Sequence, residues 1–598
     1  MQHFAIESFM PQETKICQNC KQSFTIEPED FDFYAKIKVP SLTWCYECRM
    51  KQLLVWRNDR SLYKRNCDFC NKPIITIYHP DSPYIVYCVD CYRSDKWDPY
   101  SYGKNYNFNR LFFGQFKELL FRVPKEAVNN SGVNSNSDYV NHAHNNSNCY
   151  LIFNSGDNED CSYSSGIRKC RNVTDIHYGE NLELCYEIVN GVNCSRCFYS
   201  KNIFDCVDVY FSMDLRGCQN CFGCCNLTRK NYYFFNQPLS KEDWDKRVKE
   251  FLGSSISVSK ALNKFEQSSL SFPRRANNIH KSVDCIGDYI SESKNVKNCF
   301  EAVHCENCQN GFFVRLLKDS MDDIGFGYNS ELLLSCVAVG YSSRIIGSSE
   351  LKDVQDTCYS FSLNSSQECI GCNGLKNAEN CVLNKQYSQE EYQKIKNHII
   401  EELKQKDLYG LGLPSLLSPW AYNETMAQEI FPLTKEQATE QGYSWKDPEE
   451  RNVKILMTND KLPDSIKDVK DDIIGQVIEC GHKGACNEQC TEALRIIEPE
   501  AGLLPTNEPT FCPVSAPTVA TTNGLNNVTL CDSGSASASA KASLAGVRPQ
   551  PKLIRTLAST STAIVPAPTP LKPATPPTAR RLFTASNAIL KRLYREVV

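Results

Sequence analysis

The chain lacks strong charge of one sign: its formal net charge is −4, so no global basic field argues for nucleic acid. No run of about 18 apolar residues occurs, so no membrane span is expected. The opening "MQHFAIESFMPQETK" has no basic segment followed by an apolar core and does not read as a secretory signal. There is no GxSxG, no P-loop and no GxGxxG after a strand. No catalytic constellation emerges, so no catalytic residue and no small-molecule substrate is assigned.

What the sequence does have is cysteine, 33 in 598 residues. Secreted disulfide frameworks are usually small domains behind a signal peptide. A long chain with CxxC pairs and no such leader reads instead as reduced, cytoplasmic and metal-binding. The length exceeds one compact core, so several domains are expected.

Four CxxC pairs lie near the amino terminus: Cys17/Cys20, Cys45/Cys48, Cys67/Cys70 and Cys88/Cys91. Two residues between cysteines let a tight turn aim both sulfurs at one ion, and two such knuckles make a tetrahedral thiolate cage for Zn²⁺. The intervals, 24 residues between the first two pairs and 17 between the last two, suit zinc ribbons with a β-hairpin between knuckles. Pairing neighbours closes the shortest loops, although an interleaved arrangement is also possible. A four-cysteine site is coordinatively closed, so about two structural zinc ions are expected.

Between the ribbons, "RMKQLLVWRNDRSLYKRNC" interleaves Arg49, Lys51, Arg57, Arg60, Lys64 and Arg65 with Trp56 and Tyr63. This pattern allows backbone contacts and base stacking on a nucleic acid. It equally allows an amphipathic helix that carries "LLVW" inward.

From about Asn134 to Lys230, cysteines return at steps of 21, as in Cys149 to Cys170 and Cys185 to Cys206. Short β-like runs ("CYLIF", "LCYEIV", "VDVYFS") alternate with small polar corners, and a period near 20 residues predicts a β-solenoid of the parallel β-helix kind. The pattern recurs from Cys285 to Cys381. Each ladder closes on a capping-box helix, at Ser240/Asp243 and at Ser388/Glu391, and "FFNQPLSKEDWDKRVKEF" aligns without a gap to "VLNKQYSQEEYQKIKNHI". An internal duplication follows. Ladder cysteines fit as small soft hydrophobes at inner corners, with His304, Cys305 and Cys308 the best local metal candidate. His142 and His144 fit a polar loop.

The predicted organisation is mainly β and multidomain: tandem zinc ribbons (1–100), a helical connector (101–130), a first Cys-rich solenoid with its capping helix (131–252), a polar, flexible linker (253–282), a second solenoid with its helix (283–404), a small α+β module (405–500), and a disordered tail (501–598). In the module, "CTEALRIIEPE" echoes "CKQSFTIEPED". Cys486 and Cys490 would form one knuckle of a further ribbon, but no second knuckle follows. A frameshift accounts for this. Shifted readings of the tail permit "LDFYRRMNLP", "RLCPNCRHYERLKQRNPLRLW" and "PDRPEIVYCEQCY" in ribbon order, with two CxxC pairs restored. The tail as written holds ten Lys and Arg against three Asp and Glu, an excess that is then not a binding feature. Proline and small residues without apolar periodicity predict disorder there. An intact gene, with a tail peptide seen by mass spectrometry, removes the frameshift.

With "KICQNCKQSFTIEPEDFDFYAKIKVPSLTWCYECR", "RNDRSLYKRNC", "SDKWDP", the "LNKQYS" closure and "FPLTKEQA" in view, the chain resembles a group of uncharacterised cysteine-rich zinc-ribbon proteins from small-genome uncultured bacteria. The resemblance covers nearly everything up to Glu500 and implies zinc ribbons, but no activity. Some members carry a CaiB/BaiF-type CoA-transferase label. That chemistry needs an acylatable Asp in a large α/β fold, which no motif here supplies. The expected function is a non-enzymatic zinc-binding scaffold or recognition protein, with nucleic acid or protein as its partner. The alternatives are a β-helix enzyme acting on polysaccharide and a cysteine-rich metal-storage or redox protein.

Overall fold

A computed structural model describes residues 12–252, 254–447, 454–463, 468, 471–479 and 493–495. Cys486, Cys490 and the tail from 501 onward lie outside these described residues.

The chain begins with two similar small units. In the first, strands β1 (Glu13–Ile16) and β2 (Ser23–Ile26) pair antiparallel, with Ile16 opposite Ser23. Helices α1 (Pro28–Ile37) and α2 (Tyr46–Leu54) follow. In the second, β3 (Tyr63–Asn66) and β4 (Pro73–Thr76) form the hairpin. The short β5 (Val86–Tyr87) then leads into α3 (Val89–Arg93). A connector supplies α4 (Phe112–Arg122) and β6 (Lys125–Glu126), and β6 pairs parallel with β5.

Two parallel solenoids make up the centre. In the first, pairing runs at an offset of twelve after an opening bridge of thirteen (Ser131 with His144), as in Tyr150 with Ser162 and Arg171 with Glu159. The period near 20 read from the sequence is therefore corrected to a coil of twelve residues. The step of 21 is one full coil plus three sides of the next: Cys149 sits below Cys161 in one column, and Cys161 to Cys170 is nine residues along the coil.

The coil is built of triplets. From Asn145 to Asn193 every third residue has φ between +47° and +67°. Asn and Asp enter this left-handed region at lower cost than other residues with a Cβ, and they stand directly before cysteine at 148–149, 160–161, 193–194 and 205–206. The left-handed residue turns the chain, and the next side chain points inward. Only small or slender groups fit there, and Cys149, Ile152, Ser155, Asn158 and Cys161 are all buried. Each inward thiol finds carbonyls: Cys149 Sγ donates to Ser147 O (3.3 Å) and Asn158 O (3.7 Å). Inward serines do more, since Ser164 Oγ donates to Ser162 O and accepts from Ile176 N in the next coil. Outward asparagines stack into amide ladders, with Asn181 donating to Asn193 and Asn193 to Asp205. Cysteine is thus a packing residue that keeps its polar atom satisfied.

The second solenoid follows the same rule with irregular coils. Its first pairs are eleven apart (Val283 with Lys294) and one coil is thirteen long (Leu317 with Ser330). At that longer coil Asp323 is buried, and neither carboxylate oxygen has a hydrogen-bond partner. Burial pushes its carboxyl well above the usual range. A raised folded value gives stability that is complete below about pH 4, the unfolded value, and lost as pH rises. Asp323→Asn is therefore expected to raise the urea midpoint at pH 7 and to remove part of its fall between pH 4 and 7. An unchanged midpoint would place a partner beside Asp323.

Each solenoid ends alike. The last strand turns back antiparallel (Phe234 with Gln237, Val382 with Lys385). An asparagine at φ +61° pins the end: Asn236 and Asn384 both accept from and donate to the preceding coil. A helix then covers the open end, α5 (Lys241–Leu252) or α7 (Gln389–Gln405). Ser240 Oγ accepts from Asp243 N, and Ser388 with Glu391 forms a reciprocal box.

The 253–282 segment contains a helix, α6 (Ser255–Ser269), which corrects the expectation of a flexible linker. Val258, Ala261 and Leu262 bury against α5. The serines between them hide that stripe in the sequence. The ribbons are likewise not free-standing. α2 packs on strands Leu317–Gly327 and Ser330–Gly340 of the second solenoid. One continuous core joins Leu53, Trp56, Phe116, Phe361, Ile399 and Trp420, and the interior of each solenoid forms a separate cluster. Short helices α8 (Met426–Ile430) and α9 (Lys435–Glu440) close over the ribbon side. Strands Val477–Glu479 and Ala493–Arg495 pair antiparallel further on.

Two candidate metal centres

The four CxxC pairs meet in sequence order. The sulfurs of Cys17, Cys20, Cys45 and Cys48 lie within 4.8 Å of one another, and so do those of Cys67, Cys70, Cys88 and Cys91. The spacing suits one ion in each: four sulfurs at about 2.3 Å from a tetrahedral ion are about 3.8 Å apart. Cys20 and Cys45 approach to 3.6 Å, Cys70 and Cys88 to 3.9 Å.

Local sequence produces this geometry twice. In each first knuckle a left-handed residue, Lys21 or Asn71, closes the turn and donates its N–H to the carbonyl of Cys17 or Cys67. The hairpin straddles this knuckle, which corrects the expectation of a hairpin between two knuckles. The second knuckle instead opens a helix: Cys45 is the N-cap of α2 and Cys88 of α3. Backbone amides cross between knuckles, Cys45 N to Cys17 Sγ (3.2 Å) and Cys88 N to Cys67 Sγ (3.2 Å).

Such donors favour thiolate. Hydrogen bonds from the Cys45 and Cys48 side chains hold Cys17 far below the ordinary thiol range. Cys45, which shares that charge, is pushed up to about 12. At Cys67, burial works upward, but amides of Cys70, Cys88 and Phe69 outweigh it and bring the thiol to about 7. Cys17, Cys48 and Cys67 are buried while Cys20 and Cys70 are exposed, so each cage is anchored in the core with one outer edge.

The other metal candidates do not converge. Cys305 and Cys308 point into the second solenoid and donate to Val303 O and Glu306 O. His304 occupies the left-handed turn position outside, 3.3 Å from Glu292. Among the described residues, the two four-cysteine groups are those that gather three or more ligands, so the ladder thiols form no cluster of this kind. His144 pairs with Ser131 in the coil before it and Gly156 in the coil after it, and His142 stands at a left-handed turn position next to it, so both belong to the first solenoid rather than to a loop.

The nucleic-acid reading of the Arg49–Arg65 stretch is corrected as well, because most of that stretch is internal. Arg49 is buried against Asp322 of the second solenoid (2.5 Å). Trp56 is 1% exposed and donates to Leu413 O. Arg57 pairs with Asp59 at 2.9 Å, and Arg60 with Glu429 at 2.7 Å. Lys51 bonds Glu47 and lies over the Phe431 ring, and Arg65 bonds Asp68. Lys64 alone of the seven is exposed, over Tyr139. The charged side chains seat the ribbons on the rest of the fold. Alternation of basic and apolar residues looks alike for an external face and for an interface between modules, and the carboxylate partners of Arg49 and Arg60 lie hundreds of residues away.

No family model matches the chain, and no curated protein matches it. One solved structure, a Desulfovibrio desulfuricans G20 protein provisionally described as an acetyltransferase, is 13% identical over 40% of this chain and 61% of that one, with a TM-score of 0.08. The matched part of this chain spans about three fifths of that protein, and a superposition this poor carries no argument.

Proposed function

We propose that each four-cysteine cluster holds one structural Zn²⁺ and that the chain is a non-enzymatic, metal-stapled scaffold for recognition. The supporting observation is that each cage offers four sulfurs, with backbone amides on its buried members, and leads into elements of the shared core. A cage filled by four protein ligands keeps no position for substrate. Zn²⁺ would fix the knuckles, and the ribbons would then fix the packing of both solenoids around them. Recognition falls to the outer solenoid faces and the clefts between modules, because most of the basic Arg49–Arg65 stretch is internal. The ladder thiols touch their neighbours but, among the described residues, gather in no group of three or more with ligand geometry, which favours this reading over metal storage.

Metal analysis of purified protein is expected to give about two zinc ions per chain. Cys48→Ser is expected to remove one of them and Cys194→Ser none. Many more ions per chain, or iron, would overturn the structural reading.

A further inference from the structure

A cavity of about 710 Å³ opens where the second ribbon, the connector and both solenoids meet, within the size range of small-molecule sites. The second solenoid gives it a wall of two adjacent columns. One is Ala338, Glu350, Ser362 and Gly374. The other is Gly340, Lys352, Asn364 and Lys376, in register through consecutive coils. Lys352 and Lys376 are exposed on the same column, two coils apart, or roughly 10 Å.

Beside them runs a ladder of rings. Phe326 stacks on Tyr328 (5.4 Å between centroids, 13° between planes), and Tyr328 on Tyr341 (6.3 Å, 17°). Tyr341 ends the ladder with 51% of its surface exposed. The opposite side carries Lys125, buried under the Tyr84 and Phe361 rings without a hydrogen-bond partner. Among the described residues neither Lys352 nor Lys376 forms an ion pair, and Lys376 Nζ donates only to the Tyr92 and Arg93 carbonyls at 3.5 Å; burial brings the Lys125 amine down to about 7, so the positive charge of the cavity rests on Lys352 and Lys376. Glu126 is taken by Arg93 (2.6 Å). Glu350 receives the Asn129 amide, and burial pushes it up to about 8, so it adds little negative charge at neutral pH. Its other neighbours are His142, 4.0 Å away, with Asp59 3.4 Å behind that ring.

Amines without counter-charge beside a ring stack with a free end match a ligand that joins an anion to a flat ring. We infer that this cavity binds a nucleotide, its base continuing the stack on Tyr341 and its phosphate held by Lys352 and Lys376. The same chemistry comes free in solution or within a single strand. The inference names a partner class for the recognition reading and is independent of the metal's identity.

Calorimetric titration of the full-length protein, with zinc measured on the same sample, tests it using AMP, inorganic phosphate and a single-stranded oligoadenylate of eight residues. Saturable one-to-one binding is expected for a nucleotide probe, with phosphate alone at least about tenfold weaker. Tyr341→Ala is expected to weaken binding about tenfold, in line with base–aromatic stacking of ~1–3 kcal/mol. Lys352→Ala should weaken it too, with its melting unchanged because the residue is exposed. Tighter oligoadenylate binding, sensitive to both substitutions, assigns the site to a strand; AMP binding as tight or tighter assigns it to free nucleotide. The inference falls if neither nucleotide probe binds, if binding ignores both substitutions, or if phosphate equals AMP. Normal zinc content in such a sample would leave the scaffold reading standing.

Discussion

Stripping the metal with a chelator at neutral pH is expected to unfold both ribbons and, with them, the core they share with the second solenoid. Neither ribbon has enough apolar interior to fold alone, and structural zinc contributes on the order of 10–16 kcal/mol of apparent binding energy per site in isolated fingers. A whole domain is typically stable by only about 5–15 kcal/mol. Loss of one ion thus exceeds what the remaining contacts supply. The damage should spread along the continuous packing of Leu53, Trp56, Phe116 and Phe361. Each solenoid has its own interior and its own closing helix, but the second also gives buried outer side chains such as Ile346, Tyr359 and Phe361 to the ribbons' core, and the first gives that core no buried residue. Limited proteolysis of the chelated protein should therefore cut the ribbons, the connector and the second solenoid quickly and spare 131–252. Zinc should restore protection. Cys48→Ser is expected to mimic the chelator, and Cys285→Ser, at the half-exposed open end of the second solenoid, to leave protection unchanged. A chelated protein as resistant as the untreated one would refute the zinc staple.

Arg57→Ala is the substitution expected to cost most without touching a ligand. Arg57 is 1% exposed, 2.9 Å from Asp59, and donates to Asn154 Oδ1 at 2.7 Å. Asn154 in turn donates to Asp59 Oδ2. Burial pushes Asp59 upward, but Arg57, His142 and Arg60 outweigh it and hold its carboxyl below the usual range. Removing the guanidinium leaves a buried carboxylate without its main compensating charge, a loss of about 3–5 kcal/mol in comparable pairs. Denaturant unfolding should show it as a large fall in midpoint. Arg57→Met with Asp59→Leu should recover much of that loss, because apolar replacement of a buried pair is often neutral. A midpoint unchanged by Arg57→Ala would mean water reaches the pair. For the same reason charge reversal at Arg57 or Arg60 is no probe of nucleic-acid contact, since lost binding would report lost folding.

The metal cages were legible because CxxC is local chemistry. Spacing alone brings each pair of sulfurs together, and the shortest loops join neighbouring pairs in the observed order. The solenoids were legible as ladders with capped ends, but their true period was hidden. Most cysteines of the first solenoid occupy two columns offset by nine residues, so counting cysteine to cysteine mixes columns, and the dipeptides Asn-Cys and Asp-Cys carry the better signal. Those dipeptides mark the left-handed turn and the inward position that follows it. α6 escaped notice because serines fill the gaps between Val258, Ala261 and Leu262, and composition outweighed periodicity.

By itself the sequence determined the ligand sets, the two capped ladders and the small inward residues, since each depends on neighbours within a few residues or one repeat. Tertiary structure alone decided which way the basic stretch faces. Whether Arg49 or Arg57 meets water or a carboxylate depends on Asp322, Asn154 and the coils that carry them, and only packing brings those together. The cleft with Lys352 and Tyr341 is likewise set by how ribbon, connector and solenoids meet, because a cavity belongs to the space between elements and to no single stretch of chain.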